Sequence, residues 1–103
     1  MAFENLHVDE FKEKFEGHDN AVVLDVRTPE EVDAGAIEGA EVINLFDSDF
    51  NEQVEKLDKS KAYFIYCRSG RRSANACKIM GEKGFEELYN LEGGYIAWQA
   101  NGY

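Results

Sequence analysis

The stretch "KAYFIYCRSGRRSANACKIM" (residues 61–80) decides how the chain is read. Its first part, Lys61–Cys67, is a short run of aromatic and β-branched residues, the composition of a buried strand. That run stops at a cysteine. A loop of Arg, Ser and Gly follows, and from Arg71 or Arg72 onward Ala74, Cys77 and Met80 recur every three residues, as on one face of a helix. Strand, tight turn and helix in immediate succession make half of a βαβ unit.

Working outward, the same alternation continues in both directions. "AVVLDV" (21–26), "AEVINL" (40–45) and "FEELYNL" (85–91) read as further strands bounded by Gly, Asp, Asn or Lys. Between them, Phe46, Phe50, Val54 and Leu57 form one helical stripe, and Phe11 with Phe15 begin another. Thr28, Pro29 and Glu31 form a helix start: a capping hydroxyl, proline at the first helical position and a capping-box carboxylate. Gly35 keeps that helix short. Strands alternating with helices predict an α/β domain with a mainly parallel sheet, right-handed crossovers and helices on both faces. No repeat or linker divides the chain, so residues 1–103 are read as a single domain. Ligands of such sheets lie at the carboxyl ends of the strands, where Cys67 falls.

The chain carries 21 acidic against 11 basic residues, a formal charge of −10. That balance excludes nucleic acid and anionic membrane surfaces as partners, because both require a basic face. "MAFENLHVDE" lacks the basic and apolar regions of a secretory signal, and no apolar run is long enough to span a bilayer, so the expected location is cytoplasmic. Two cysteines, Cys67 and Cys77, form no disulfide framework, and with His7 and His18 they show no metal-ligand spacing. Both histidines read as solvated. "DSDFNE" (47–52) starts like a calcium loop but places Glu52 where glycine is needed and Asp58 where the bidentate glutamate belongs, so it reads as a solvated helix start.

The chemistry concentrates in Cys67–Ser73. A thiolate is the nucleophile, and an ordinary cysteine is mostly protonated at neutral pH. Three local features lower that barrier to ionisation: a nest of backbone N–H groups, the positive end of the following helix, and the charge of Arg68, Arg71 or Arg72. Gly70 permits the tight curl, and Ser69 or Ser73 can add a hydrogen bond or cap the helix. A purely structural cysteine does not explain three arginines there, because cations in a first helical turn oppose the macrodipole unless an anion balances them. Cys77 reads as a small core residue, with a resolving thiol as the alternative.

Three segments, "LDVRTPEEVDAGAIEGAEVINL" (24–45), "YCRSGRRS" (66–73) and "LYNLEGGYIAW" (88–98), together resemble the rhodanese family, specifically its single-domain sulfurtransferases. The resemblance implies a rhodanese-like fold with a five-stranded, mainly parallel sheet. It also implies a nucleophile at Cys67 that takes a sulfane sulfur from a donor such as thiosulfate, becomes a persulfide and passes the sulfur to cyanide, a thiol or a protein cysteine. Arg68, Ser69, Gly70, Arg71 and Arg72 become the binding loop for a small anionic donor. Motif position assigns Arg68 to the pocket mouth and Arg72 to an inward, bracing role. No metal or organic cofactor is implied.

Related phosphatases and arsenate reductases place arginine after five intervening residues. Here Arg72 follows after four and Ser73 holds the phosphatase position, which favours transfer of a single sulfur atom over binding of a tetrahedral oxyanion. A non-catalytic binding or sensing module is the remaining alternative. Val32, Ala36 and Glu38 stand where family members often carry an aromatic, a histidine and a proline, a departure that bears on substrate preference. Asp25 with Arg27 reads as a structural ion pair, and Tyr95 and Trp98 as packing.

Overall fold

A computed structural model describes residues 3–103. In chain order the elements are β1 (Glu4–Leu6), α1 (Val8–Glu16), β2 (Ala21–Asp25), α2 (Pro29–Asp33), β3 (Glu41–Val42), α3 (Phe50–Glu55), β4 (Ala62–Tyr66), α4 (Arg71–Glu82), β5 (Glu87–Leu91) and α5 (Gly94–Ala100). The strands lie in the order β1-β5-β4-β2-β3, and all four pairings are parallel. The central strand β4 is buried along its whole length, as its unbroken apolar run requires of a parallel sheet covered on both faces.

Alternation along β4 splits the core in two. Tyr63, Ile65 and Cys67 face α3 and α4, joining Phe50, Val54, Ala76, Cys77 and Met80. Ala62, Phe64 and Tyr66 face α1 and α5, joining Phe11 and Trp98. On that second face Phe64 meets Phe11 edge-on at 5.6 Å and stacks on Tyr89 at 4.7 Å. Each such buried aromatic contributes about 2–3 kcal/mol of burial free energy. Trp98 is buried, in agreement with its reading as packing, and half-buried Tyr95 lies beside Tyr66 at 6.0 Å.

The sequence reading located four of the five expected strands, and two of its element boundaries need revision. The fifth strand of the sheet is β1, three residues long with one buried side chain, too brief to register as a periodic signal. The strand placed at 40–45 contracts to Glu41–Val42, although Ile43 and Leu45 still donate to the carbonyls of Asp25 and Val26. The stripe beginning at Phe46 starts instead at Phe50. The Asn44 side chain accepts the Phe46 N–H at 3.0 Å, and the resulting Asx-turn competes with helix, leaving Phe46 68% exposed.

The helix start at Thr28 is as read: the Glu31 N–H donates to Thr28 Oγ1, and Glu31 Oε1 accepts from the Thr28 N–H at 3.2 Å. Asp25 and Arg27 form a buried pair, with Arg27 Nη2 2.7 Å from Asp25 Oδ2 and also 2.7 Å from the Gly35 carbonyl. This pair ties the end of β2 to the segment after α2. His7 is exposed. His18 is half-buried, with Nδ1 accepting the Asn20 N–H and Nε2 near Glu87, so it is less solvated than its sequence context suggests.

Candidate active site

Cys67 is the first residue beyond β4, and its side chain is fully buried. The chain curls immediately afterwards because Gly70 takes a left-handed conformation, φ +97°, before α4 begins at Arg71. A Cβ there would stand 3.1 Å from the Leu91 carbonyl oxygen and 3.2 Å from the Gly93 nitrogen. The curl turns donors inward. The Gly70 N–H lies 3.1 Å from Cys67 Sγ, the Ser73 N–H 3.4 Å and the Ser73 hydroxyl 3.3 Å.

Loop carbonyls point the other way and are held. Tyr95 and Ile96, in the first turn of α5, donate to the carbonyls of Cys67 at 2.8 Å and Arg68 at 3.1 Å. Asn90 Nδ2 donates to the Gly70 carbonyl at 3.1 Å. α5 approaches this closely because Gly94, at φ +59°, has no side chain. A Cβ on Gly94 would come within 2.6 Å of the Ser69 nitrogen and closer still to the Arg68 carbonyl.

Burial pushes the Cys67 thiol up, but the hydrogen bonds from the Ser73 hydroxyl and from the backbone N–H groups of Ser73, Gly70 and Ser69 outweigh it, so its pKa falls below the ordinary value. The sequence left Ser69 and Ser73 as alternative side-chain donors, and the structure selects Ser73. It also shifts the emphasis away from the arginines, since the donors nearest the sulfur are neutral. Cys77 behaves in the opposite way. Burial, reinforced by the charge of Cys67, pushes its thiol up to about 12, which makes it an inert core residue.

The loop residues separate by direction. Arg72 turns to α2 and grips Glu31 with both ends, Nη1–Oε1 at 2.7 Å and Nη2–Oε2 at 2.8 Å. The paired hydrogen bonds to Arg72 hold the Glu31 carboxyl at about 2 against the opposing effect of burial. Arg68 and Ser69 are exposed. Arg68 lines a cavity of about 350 Å³ with Arg27, Glu31, Gly35, Tyr95 and Gln99 on the β2 side of the loop. Arg71 lies on the other side, in a cleft shared with Asn75 and Lys78. The pairing of Arg72 with Glu31 escaped the sequence reading, which had assigned Glu31 to the capping box alone. So did the contact of α5 with the loop carbonyls, for which only the paired glycines of "EGGY" were a signal.

Comparison with known proteins agrees with this architecture. The family model for the rhodanese-like domain matches residues 7–101. The Bacillus subtilis protein named "Putative sulfurtransferase YtwF" is 41% identical over 99 residues, covering 96% of this chain and 93% of that protein. The "Thiosulfate sulfurtransferase GlpE" of Pseudoalteromonas translucida is 29% identical over 100 residues, covering 97% and 92%. Among solved structures, a rhodanese-related protein from Thermoplasma volcanium superimposes with a TM-score of 0.85 at 29% identity, covering 98% of this chain and 95% of that one. A rhodanese-like domain protein from Staphylococcus aureus gives 0.81 at 30% identity, covering 93% and 91%. Matched over residues 7–101 by the family model, 41% identical to a relative along nearly its whole length, and sharing the fold of a solved rhodanese-like domain protein, the chain belongs to the rhodanese-like domain family.

Proposed function

We propose that the protein is a sulfurtransferase working through a persulfide on Cys67. The observation that carries this reading is the convergence of three donors on one buried sulfur, Gly70 N–H, Ser73 N–H and Ser73 O–H, which stabilises a thiolate where a nucleophile is required. The Cys67 thiolate attacks the outer sulfur of a small anionic donor such as thiosulfate. The donor's S–S bond breaks, sulfite departs with the bonding electron pair, and Cys67 carries the sulfane sulfur. An acceptor nucleophile, whether cyanide, a thiol or a protein cysteine, then attacks that outer sulfur and returns Cys67 to the thiolate. No metal or organic cofactor takes part in these steps.

Within this cycle the N–H groups of the loop receive the persulfide's developing charge. Arg68, at the mouth, attracts the anionic donor despite the chain's overall charge, because distant acids are screened beyond roughly 8 Å at physiological salt. Sγ has no exposed surface of its own, so the donor enters end-on as side chains at the rim move aside. A phosphatase-like reading is disfavoured by Arg72, whose guanidinium is turned to Glu31 and held there by two hydrogen bonds. A purely binding module gains nothing from a stabilised thiolate. The need for free thiols suits a reducing compartment, and the reading places the protein in the cytoplasm. Among the described residues no helix is long and apolar enough to cross a membrane.

Thiosulfate-dependent formation of thiocyanate from cyanide tests the proposal. Cys67→Ser is expected to abolish turnover while Cys77→Ser retains most of it. Retained activity in Cys67→Ser sinks the mechanism.

A further inference from the structure

On the β1 and β5 side of the cysteine loop lies a cleft of about 750 Å³, distinct from the cavity that Arg68 lines. One wall is α4, which presents Arg71, Asn75 and Lys78 at helical spacing while Ser73, Ala76, Cys77 and Met80 face the core. The other wall is the sheet, where Asn5 and Asn90 stand side by side in register. Both replace the apolar residues that occupy this face one pleat earlier, Phe3 and Leu88.

Asn90 is 3% exposed, and its Oδ1 is the one buried side-chain polar atom without a hydrogen-bond partner among the described residues. Its orientation is fixed. Nδ2 must face the Gly70 carbonyl, which can only accept, so Oδ1 is left awaiting a donor. Buried acceptors in folded proteins are normally satisfied, and an orphan lining a cleft points to a ligand that supplies an N–H or O–H. Arg71 and Lys78 form no ion pair among the described residues, which leaves two cations side by side on this wall of the cleft. Glu92 completes the rim. The set is complementary to a zwitterion.

Resting on the sulfurtransferase reading above, we propose that this cleft is the acceptor subsite and takes a small thiol of amino-acid type. The carboxylate lies against Arg71 and Lys78, and the ammonium donates to Asn90 Oδ1 beside Glu92. Ser69 and Gly70 line the cleft, and the Gly70 N–H lies 3.1 Å from Cys67 Sγ, so the loop that holds the sulfur is itself a wall of the cleft. Its thiolate attacks the outer persulfide sulfur. The S–S bond breaks, the electron pair returns to Cys67, and the acceptor leaves as a persulfide, its own thiol proton having passed to water.

The test compares acceptors at fixed thiosulfate: L-cysteine, cysteamine without the carboxylate, and cyanide. Lys78→Ala is expected to raise KM for L-cysteine roughly two- to five-fold, the worth of one exposed charge pair, and to leave KM for cysteamine and cyanide unchanged. Equal effects on all three acceptors, or none on L-cysteine, overturn the subsite. Absence of cyanide turnover in the native protein would instead overturn the sulfurtransferase reading. The cleft is then judged by binding alone: L-serine should shift the Asn90 side-chain amide resonances saturably in the native protein and more weakly in Lys78→Ala. No saturable shift refutes the site.

Discussion

Ser73 donates to Cys67 Sγ twice, through its N–H at 3.4 Å and its hydroxyl at 3.3 Å, whereas Gly70 and Ser69 offer only backbone N–H groups. A hydrogen bond to a charged group is worth about 1.5–3 kcal/mol. Ser73→Ala removes the hydroxyl and keeps the backbone donor. The pH midpoint of Cys67 alkylation by iodoacetamide is therefore expected to move up toward the ordinary thiol range, and turnover at neutral pH to fall about tenfold or more. An unchanged midpoint would show that the hydroxyl does not support the thiolate. The sign matters for stability as well. Because Cys67 has a lowered pKa in the fold, its contribution is present above the unfolded thiol's pKa and is lost as the pH falls through the folded value. The nucleophile and its glycine were legible in the sequence because they lie within seven consecutive residues. The choice of Ser73 over Ser69 was not, since it depends on which residue the first turn of α4 rotates toward the sulfur.

At the scale of elements, two helices hold the loop from opposite sides. α5 does so by donating its first-turn N–H groups to the carbonyls of Cys67 and Arg68, a contact that requires Gly94. Gly94→Ala places a methyl group against the backbone of Arg68 and Ser69 at a positive φ. It is expected to destabilise the fold by about 1–3 kcal/mol and to lower kcat, with both effects visible in a melting curve and a thiosulfate assay. Native stability and native activity together would contradict this bracing role. α2 acts through Glu31, which caps its own helix and clamps Arg72. Its folded pKa of about 2 lies below the ordinary 4.5 of a glutamate, so the pair's contribution is complete above about pH 4.5 and is lost as the pH falls toward 2. Glu31→Gln is expected to cost about 1–3 kcal/mol at pH 7 and to flatten the fall in stability between those limits, measured by denaturant unfolding across pH. An acid profile parallel to that of the native protein would show that Glu31 carries no such linkage. The capping box was readable from its three-residue spacing. The clamp spans 41 positions and was not.

For the whole molecule, alternation of strand and helix sufficed to read the α/β class and to place Cys67 at the carboxyl end of a strand, whose central position emerges only from the strand order. The edges were harder. β1 is three residues long and β3 two, so their pairing owes more to neighbouring strands than to any pattern of their own. The amide pair Asn5 and Asn90, separated by 85 positions, exists only once β1 has docked beside β5. Net charge says nothing of the local distribution, in which Arg68, Arg71 and Lys78 form no ion pair among the described residues around the loop. Every part of this account converges on a sulfur held by Cys67, and intact-mass spectrometry after treatment with thiosulfate reads it directly. The account predicts a gain of one sulfur atom, removed by cyanide, present in Cys77→Ser and absent from Cys67→Ser; no adduct on the native protein, or an adduct that survives loss of Cys67, would contradict it.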